Sequence, residues 1–464
     1  MEIRPANNTR MAPRSLPNIP AGTSGGLTEL DGELHYRITS YHRMPPFFIS
    51  IPSDTDLWMF IASGGGLTAG RVDAEGSLFP YRTVDQLHEA HHHTGPVTLL
   101  RVQQEDGTTA LWEPFATASG DDPNISRTLL KNATGNRLVF EERNLELDLV
   151  FRYTWSACEE YGWVRSATLE NTGPAGVRID FLDGLRNILP FGAPLNLYQQ
   201  AGNLVDAYKK SEVDSETGLG IFSLTAGITD RAEALEVLRA NTVWCCGLDE
   251  FRVHLSLDTV EAFRHGRVLN ESHLLDGARG NYLISGNIEL DQNQSSTWFL
   301  MGDTGRDHMQ ISELRQQILA GTDLSTSISS ALSQATVNLR RNVASADGLQ
   351  MSGRPESLTH HFANVLFNNM RGGVFSNNYQ LPVADLLDFL TVRNKQVRLR
   401  VEELLGTLAD ELSIQELHEL ARRSGDIDFQ RLCHEYLPLH FGRRHGDPSR
   451  PWNRFSINVK EPNG

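Results

Sequence analysis

From residue 28 to residue 303 the chain repeatedly sets an apolar side chain at every second position, the period at which a strand turns one face to a core. The clearest run is "LELDLVFRYTW". There Leu145, Leu147, Leu149, Phe151, Tyr153 and Trp155 alternate with Glu146, Asp148, Val150, Arg152 and Thr154, which predicts one strand over 145–155. Further strands are predicted at "FFISI", "LWMFIAS", "VTLLRV", "TALWEPF", "GWVRSATLEN", "VRIDFLDGL", "GIFSLTAG", "TVWCCGL", "FRVHLSLD", "YLISGNIEL" and "STWFLMGD". Turn chemistry separates them, as in "NATGN" and "NTGPAG", where Gly supplies a positive φ and Pro a fixed one. So many short strands without alternating long helices predict a large antiparallel sandwich of two big sheets.

After Asp303 the period changes. Ile311, Leu314, Ile318 and Leu319, then Ile328, Leu332, Ala335, Leu339 and Val343, recur at three and four residues and predict helices. Leu358, Phe362, Val365, Leu366 and Met370 form another stripe, with Gly372-Gly373 at the place of a left-handed cap. Pro382 to Asp410 holds two more helical patterns, and Ser413 with Glu416 makes a capping box for the helix carrying Leu417, Leu420 and Ala421. The fold class read from this is β followed by α: a disordered leader over 1–27, a sandwich over 28–303, a helical linker over 304–441 and a last segment over 442–464. The leader reading rests on "MEIRPANNTRMAPRSLPNIPAGTSGG", which is rich in Pro, Asn, Ser and Gly and has no apolar h-region.

Composition narrows the partners. At 464 residues and 39% hydrophobic content the chain exceeds one core, and its net charge of -16 argues against a nucleic-acid or anionic-membrane surface. No apolar run reaches the roughly eighteen residues of a membrane span. Cys158, Cys245, Cys246 and Cys433 lack C-x-x-C spacing and read as buried free thiols. With neither an apolar h-region nor a membrane span in the sequence, a reducing cytoplasm is the expected compartment. No cofactor is expected.

Four stretches carry candidate chemistry. "LHEAHHHTG" contains His88-Glu89-Ala90-His91-His92, a literal H-E-x-x-H that on a helix would turn His88 and His92 to one side for zinc, with Glu89 as base. Thr94-Gly95-Pro96 ends any helix just beyond it and strands flank it, so the preferred reading is a solvated His-rich connection and no metal site. "ASGGGLTAGR", at 62–71, lacks the G-K-[ST] ending of a phosphate loop and reads as glycine for close sheet packing. "NNMRGGVFSNNYQ", at 368–380, joins amides, Arg371 and aromatics that could line a sugar or cap a helix. "GRRHGDPSRPWNRFSI", at 442–457, packs Arg443, Arg444, His445, Asp447, Arg450, Trp452 and Arg454 together.

With "DLWMFIASGGGLTAGRVDAEGSLFPYRTVDQLHEAHHHTGP", "LWEPF", "RSATLENTG" and "LDGLRNILPFG", the last two stretches resemble the N-terminal portion of cellobiose phosphorylases and cyclic glucan synthases, the glycoside hydrolase family 94 group, from about residue 30 to residue 458. The resemblance implies a β-supersandwich, a helical linker and then an (α/α)6 catalytic toroid whose general acid, an Asp, lies beyond the end of this chain. In phosphorolysis with inversion, phosphate attacks the anomeric carbon, so one protein acid suffices to protonate the leaving oxygen. That acid has no matching position here, and no catalytic residue is assigned. Arg371, Arg444, Asp447, Arg450 and Trp452 are expected as carbohydrate-binding or junction residues, Arg and Asp for ion pairs and Trp for packing or sugar stacking. The expected role is a non-catalytic, truncated or separately encoded part of a glycoside phosphorylase-like protein. Its expected partners are an oligosaccharide or β-glucan and a second copy or a separate toroid chain. The alternatives are a stand-alone carbohydrate-binding or scaffold subunit and, third, a zinc hydrolase using His88, Glu89 and His92.

Overall fold

A computed structural model describes residues 22–441, except 105–106, 229–236, 322, 345–347, 351–352, 371–372, 376–379 and 437–438. Its centre is an antiparallel sandwich. The larger sheet has 11 strands and begins with the hairpin Ser24–Leu30 and Glu33–Thr39, followed by Ile125–Asn132, Leu138–Asn144, Leu149–Cys158 and Gly162–Asn171. It continues through Ser295–Asp307, Arg239–Cys246, Gly220–Leu224, Lys209–Val213 and Leu274–Asp276. The smaller sheet has 5 strands in the order Arg252–His254, Gly280–Leu290, Val177–Ile188, Gly95–Gln103, Thr109–Trp112. A 3-stranded sheet, Phe48–Pro52, Leu57–Ala62 and Leu67–Arg71, adds Ile51, Met59 and Ile61 to the sandwich core.

The alternation in the sequence explains the layers. Phe151, Tyr153 and Trp155 from the large sheet and Ile179, Phe181 and Leu185 from the small one meet in the main core. Crossing that core is a buried ion pair: Arg165 Nη1 donates to Asp183 Oδ2 at 2.6 Å, and both side chains are 0% exposed. Thr98 Oγ1 donates to Asp183 Oδ1 at 2.7 Å and Trp298 Nε1 to Asp183 Oδ2 at 2.7 Å. The Arg165 guanidinium lies 4.8 Å from the centre of the Tyr153 ring. Each sheet also has an outer layer. Trp244, Phe299 and Met301 on the large sheet pack against Leu314, Ile328, Leu332 and Ala335 of helices His308–Leu319 and Leu324–Ala344. Leu99, Leu182 and Leu283 on the small sheet pack under Val260 and Phe263 of helix Asp258–Arg264.

Beyond helix Pro355–Met370, residues 381–436 build a separate core from Leu386, Leu390, Val397, Leu417, Phe429 and Leu432. Two strands bracket this unit, Gly373–Phe375 and Leu439–Phe441, and they pair with each other antiparallel. The capping box at Ser413 and Glu416 forms as the sequence implies, with Glu416 N donating to Ser413 Oγ at 3.1 Å. The stripe Ile328, Leu332, Ala335, Leu339 and Val343 is buried along one helix.

Three expectations change. The strand expected over 145–155 begins at Leu149, because Asn144 Oδ1 accepts from Glu146 N and Leu147 N at 3.1 Å and Asp148 takes φ 51°, closing a tight turn. Leu145 is consequently left 53% exposed. The leader expected to reach 27 gives way at Ser24 to the first strand, whose ladder Ser24↔Thr39 to Leu30↔Glu33 satisfies its backbone. At the other boundary, strand Ser295–Asp307 runs past Asp303, and Asp307 caps the next helix. The expected cap at Gly372 and the segment 442–464 lie outside the described residues.

Candidate functional site

The glycine-rich stretch 62–71 packs closely, as read from the sequence. A Cβ on Gly66 would fall 2.2 Å from the Leu87 carbonyl oxygen and 2.8 Å from His91 N, and one on Gly70 would fall 2.5 Å from Gly76 O. These approaches lay the stretch against helix Val84–Glu89, so the His-rich segment is a helix with a 3-10 turn, Ala90–His92, rather than a plain connection. The helix spans only 6 residues, and the carbonyls of the turn and strand that follow it serve Arg186, which donates to His91 O at 2.7 Å, His92 O at 3.0 Å and Pro96 O at 3.0 Å. His91 holds the His88 carbonyl through Nδ1 at 3.0 Å, and its ring centre lies 3.9 Å from that of His92, the planes tilted by 39°. Burial, then the neighbouring His92, hold the His91 imidazole below its ordinary pKa. Among the described residues no group of three or more His, Cys, Asp or Glu side chains is disposed to hold a metal ion. No helix among them is long and apolar enough to cross a membrane.

Strand Leu67–Arg71, within the glycine-rich stretch, ends at a polar cleft of about 780 Å³ where the sandwich meets its first linker helix. Arg71 stands in its wall. Its Nη1 donates to Asp56 Oδ1 at 2.8 Å and to both Glu159 carboxylate oxygens at 3.0 Å, while Nε donates to Asp303 Oδ1 at 3.2 Å. Burial alone would lower the Arg71 pKa; the carboxylates of Asp303, Glu159 and Asp56 outweigh it and hold the guanidinium well above its ordinary value. Arg306 bridges Asp303 Oδ2 at 3.1 Å and the Glu160 carbonyl at 3.1 Å. The floor is tied by buried Asn241, which donates to Ser77 O and Leu189 O and accepts from Gly305 N. Gly305, at φ +71°, lets the Phe191 ring approach, since a Cβ there would lie 2.9 Å from Phe191 Cε2. A half-buried ring beside fixed carboxylates and guanidinium groups can stack on the apolar face of a neutral polyhydroxylated ligand and accept its hydroxyl protons. The three carboxylates that contact Arg71, those of Asp56, Glu159 and Asp303, are each in an ion pair with it.

A smaller cleft of about 420 Å³ lies between helix Pro355–Met370 and the 381–436 unit, lined by His360, Asn364, Phe389, Arg393 and Glu435. Arg393 sits 5.5 Å over the Phe389 ring, which packs 5.2 Å from Tyr436. Tyr436 is held by its hydroxyl, which donates to Asp385 Oδ2 at 2.5 Å.

Arg371, Arg444, Asp447, Arg450 and Trp452 all lie outside the described residues. The cleft residues Arg71, Phe191 and Asp303 sit inside or beside stretches quoted from the sequence, yet no local pattern marks them, because Asp56, Glu159 and Asp303 approach Arg71 from three distant segments. Phe389 and Arg393 carry a weak signal, an aromatic and a cation four apart on one helix face.

Against solved structures, a bacterial glucoamylase complexed with acarbose aligns at 7% identity and TM-score 0.36, over 80% of this chain and 54% of its own. A human-microbiome protein provisionally assigned as a kojibiose phosphorylase aligns at 9% identity and TM-score 0.33, over 83% of this chain and 42% of its own. Heparinase III aligns at 9% identity and TM-score 0.25, over 56% and 34%. The chain thus spans about half the length of the glucoamylase and less of the others. No match is found among curated proteins. Residues 375–438 match the model of glycoside hydrolase family 149 insertion domain 1, so the match falls on the compact helical unit with its own core.

Proposed function

We propose that this chain acts in carbohydrate metabolism, in the cytoplasm, as the sandwich-and-linker part of a glycoside hydrolase or phosphorylase-like protein. Its role is to contact sugar and a catalytic partner rather than to supply the catalytic acid. The observation that carries this reading is the match of 375–438 to a glycoside hydrolase insertion domain, on a segment that folds around its own core. The family 94-like motifs along residues 30–458 support the phosphorylase form of it. The ligand is a neutral oligosaccharide or β-glucan, held at the Arg71 and Phe191 cleft by stacking and by hydroxyl donation to carboxylates. The chain works beside a second copy of itself or a separate (α/α)6 toroid chain.

The test has two arms. Titration calorimetry of the purified chain with cellobiose, laminaribiose and β-1,2-glucan oligomers should give binding that Phe191→Ala weakens at unchanged melting temperature. In phosphate buffer the chain alone should release no sugar phosphate from these compounds. Phosphorolysis that survives purification to homogeneity would place a complete active site in this chain and overturn the non-catalytic role.

A further inference from the structure

On the side of the small sheet away from the main core, edge strand Arg252–His254 pairs with Gly280–Leu290 in the register Arg252↔Ser285, Val253↔Ile284, His254↔Leu283. This face carries a serine and a histidine in contact. Ser285 Oγ lies 2.8 Å from His254 Nε2, and His254 Nδ1 lies 3.1 Å from the carbonyl oxygen of Asn270. A carbonyl oxygen only accepts, so Nδ1 must carry the ring proton; in the neutral ring Nε2 is then a bare lone pair, and the Ser285 hydroxyl donates to it. The tautomer is thus set by the backbone, in the orientation that readies a serine for proton loss.

The surroundings differ for the two partners. His254 is 1% exposed and fixed at both nitrogens, whereas Ser285 lines a cleft of about 1260 Å³ at the sandwich edge together with Arg252, Arg267, Asn287 and Glu289. Arg252 is the cross-strand neighbour of Ser285, so the two Cβ atoms stand about 5 Å apart on one face; its exposed guanidinium pairs with Glu271 through Nε at 3.3 Å and would have to turn from that carboxylate toward an oxygen on a group bound at Ser285. Burial, helped by the Arg252 charge, outweighs the Asn270 carbonyl and the Glu271 carboxylate and keeps the His254 pKa below its ordinary value, which favours the neutral ring.

We propose that Ser285 and His254 form an acyl-transfer centre that hydrolyses short-chain esters of hydroxylated carriers, with Arg252 facing the oxyanion. Ser285 Oγ bonds to the acyl carbon as its proton passes to His254 Nε2. The acyl C–O bond breaks, and the leaving alkoxide takes that proton. Water then attacks the acyl-serine, again losing a proton to Nε2, and the carboxylic acid and free Ser285 are regenerated. The polar wall of the cleft suits a carrier rich in hydroxyls, and Ser285, itself only 7% exposed, leaves little room beside its hydroxyl for more than a short acyl group. This centre is independent of the sugar-contacting cleft at Arg71.

The experiment treats the whole chain with a fluorophosphonate probe and maps the adduct by peptide mass spectrometry, alongside hydrolysis of p-nitrophenyl acetate. The expected result is a single adduct on Ser285, and a rate that falls by on the order of a hundredfold or more in both Ser285→Ala and His254→Gln. The rate should decline as the pH drops and His254 is protonated. Probe that leaves Ser285 unmodified in the folded wild-type chain overturns the proposal without recourse to any variant. So does a Ser285→Ala protein of unchanged melting temperature that hydrolyses the ester at the wild-type rate.

Discussion

Removing the carboxylate at the centre of the sandwich, by Asp183→Ala, should strand a buried positive charge. Arg165 would keep the Thr98 hydroxyl at 3.2 Å and the Tyr153 ring, but its charge would have no counter-ion in a site that is 0% exposed. Breaking a buried pair in this way costs about 3–5 kcal/mol, and the Trp298 indole N–H, which loses its acceptor, adds about 1 kcal/mol. The counterpart is to replace the whole cluster: Arg165→Met, Asp183→Leu and Thr98→Val together leave no stranded charge. That variant should recover all but about 1–2 kcal/mol, since a buried pair and a well-packed apolar cluster are close in free energy. Urea unfolding followed by tryptophan fluorescence reads the sandwich directly, because Trp298 stacks on Phe181 at 5.6 Å beside the pair. If Asp183→Ala costs less than about 1 kcal/mol, or if the triple replacement is as damaging as the sum of its parts, the charges are not coupled and the reasoning fails.

Other outcomes follow from local geometry. Gly66→Ala drives a Cβ into the Leu87 carbonyl and His91 N, backbone atoms that cannot rotate aside, and should cost about 1–3 kcal/mol in a thermal melt. Ser413→Ala removes the capping box of helix Ile414–Ser424 and should destabilise the 381–436 unit by about 1 kcal/mol, seen as faster amide exchange confined to that unit. Asp426, whose pKa is held down first by Arg400 and then by the Phe429 and Asp428 amides, stabilises the fold above the unfolded carboxylate value and ceases to do so as pH falls toward the folded one. The stability of that unit should therefore drop in acid below about pH 4, and Asp426→Asn should flatten the drop. Elemental analysis should find far less than one zinc per chain, and His88→Ala should leave that content unchanged; stoichiometric zinc would revive the metal reading of the histidine run.

The parts of the fold legible in the sequence are those where one period persists over a whole element. Phe151, Tyr153 and Trp155 announce a strand, and Ile328 to Val343 announce a helix, because each stripe is the face that is buried. The alternation failed where it overran a turn: Leu145 and Leu147 keep the period of two, but the Asn144 side chain and the positive φ of Asp148 are stronger local terms. The hairpin 24–39 was missed because it lies at the edge of the large sheet, where most of its side chains are partly exposed and the apolar pattern is thin. Candidate chemistry was less legible still. Five candidates fell beyond the described residues, while Arg71 gains its meaning only from Asp56, Glu159 and Asp303, and Ser285 only from His254 and Asn270. The histidine run was conspicuous as text, yet its fold role is to offer carbonyls to Arg186 from far along the chain.

The pairing of Gly373–Phe375 with Leu439–Phe441 has an evolutionary reading. A segment whose two ends lie on adjacent strands, about 5 Å apart, can enter or leave a host gene by two cuts and leave behind only a hairpin turn. Such a cassette can be inherited, exchanged or lost separately from the scaffold that carries it, and related chains should differ there by whole-unit presence rather than by gradual change in length.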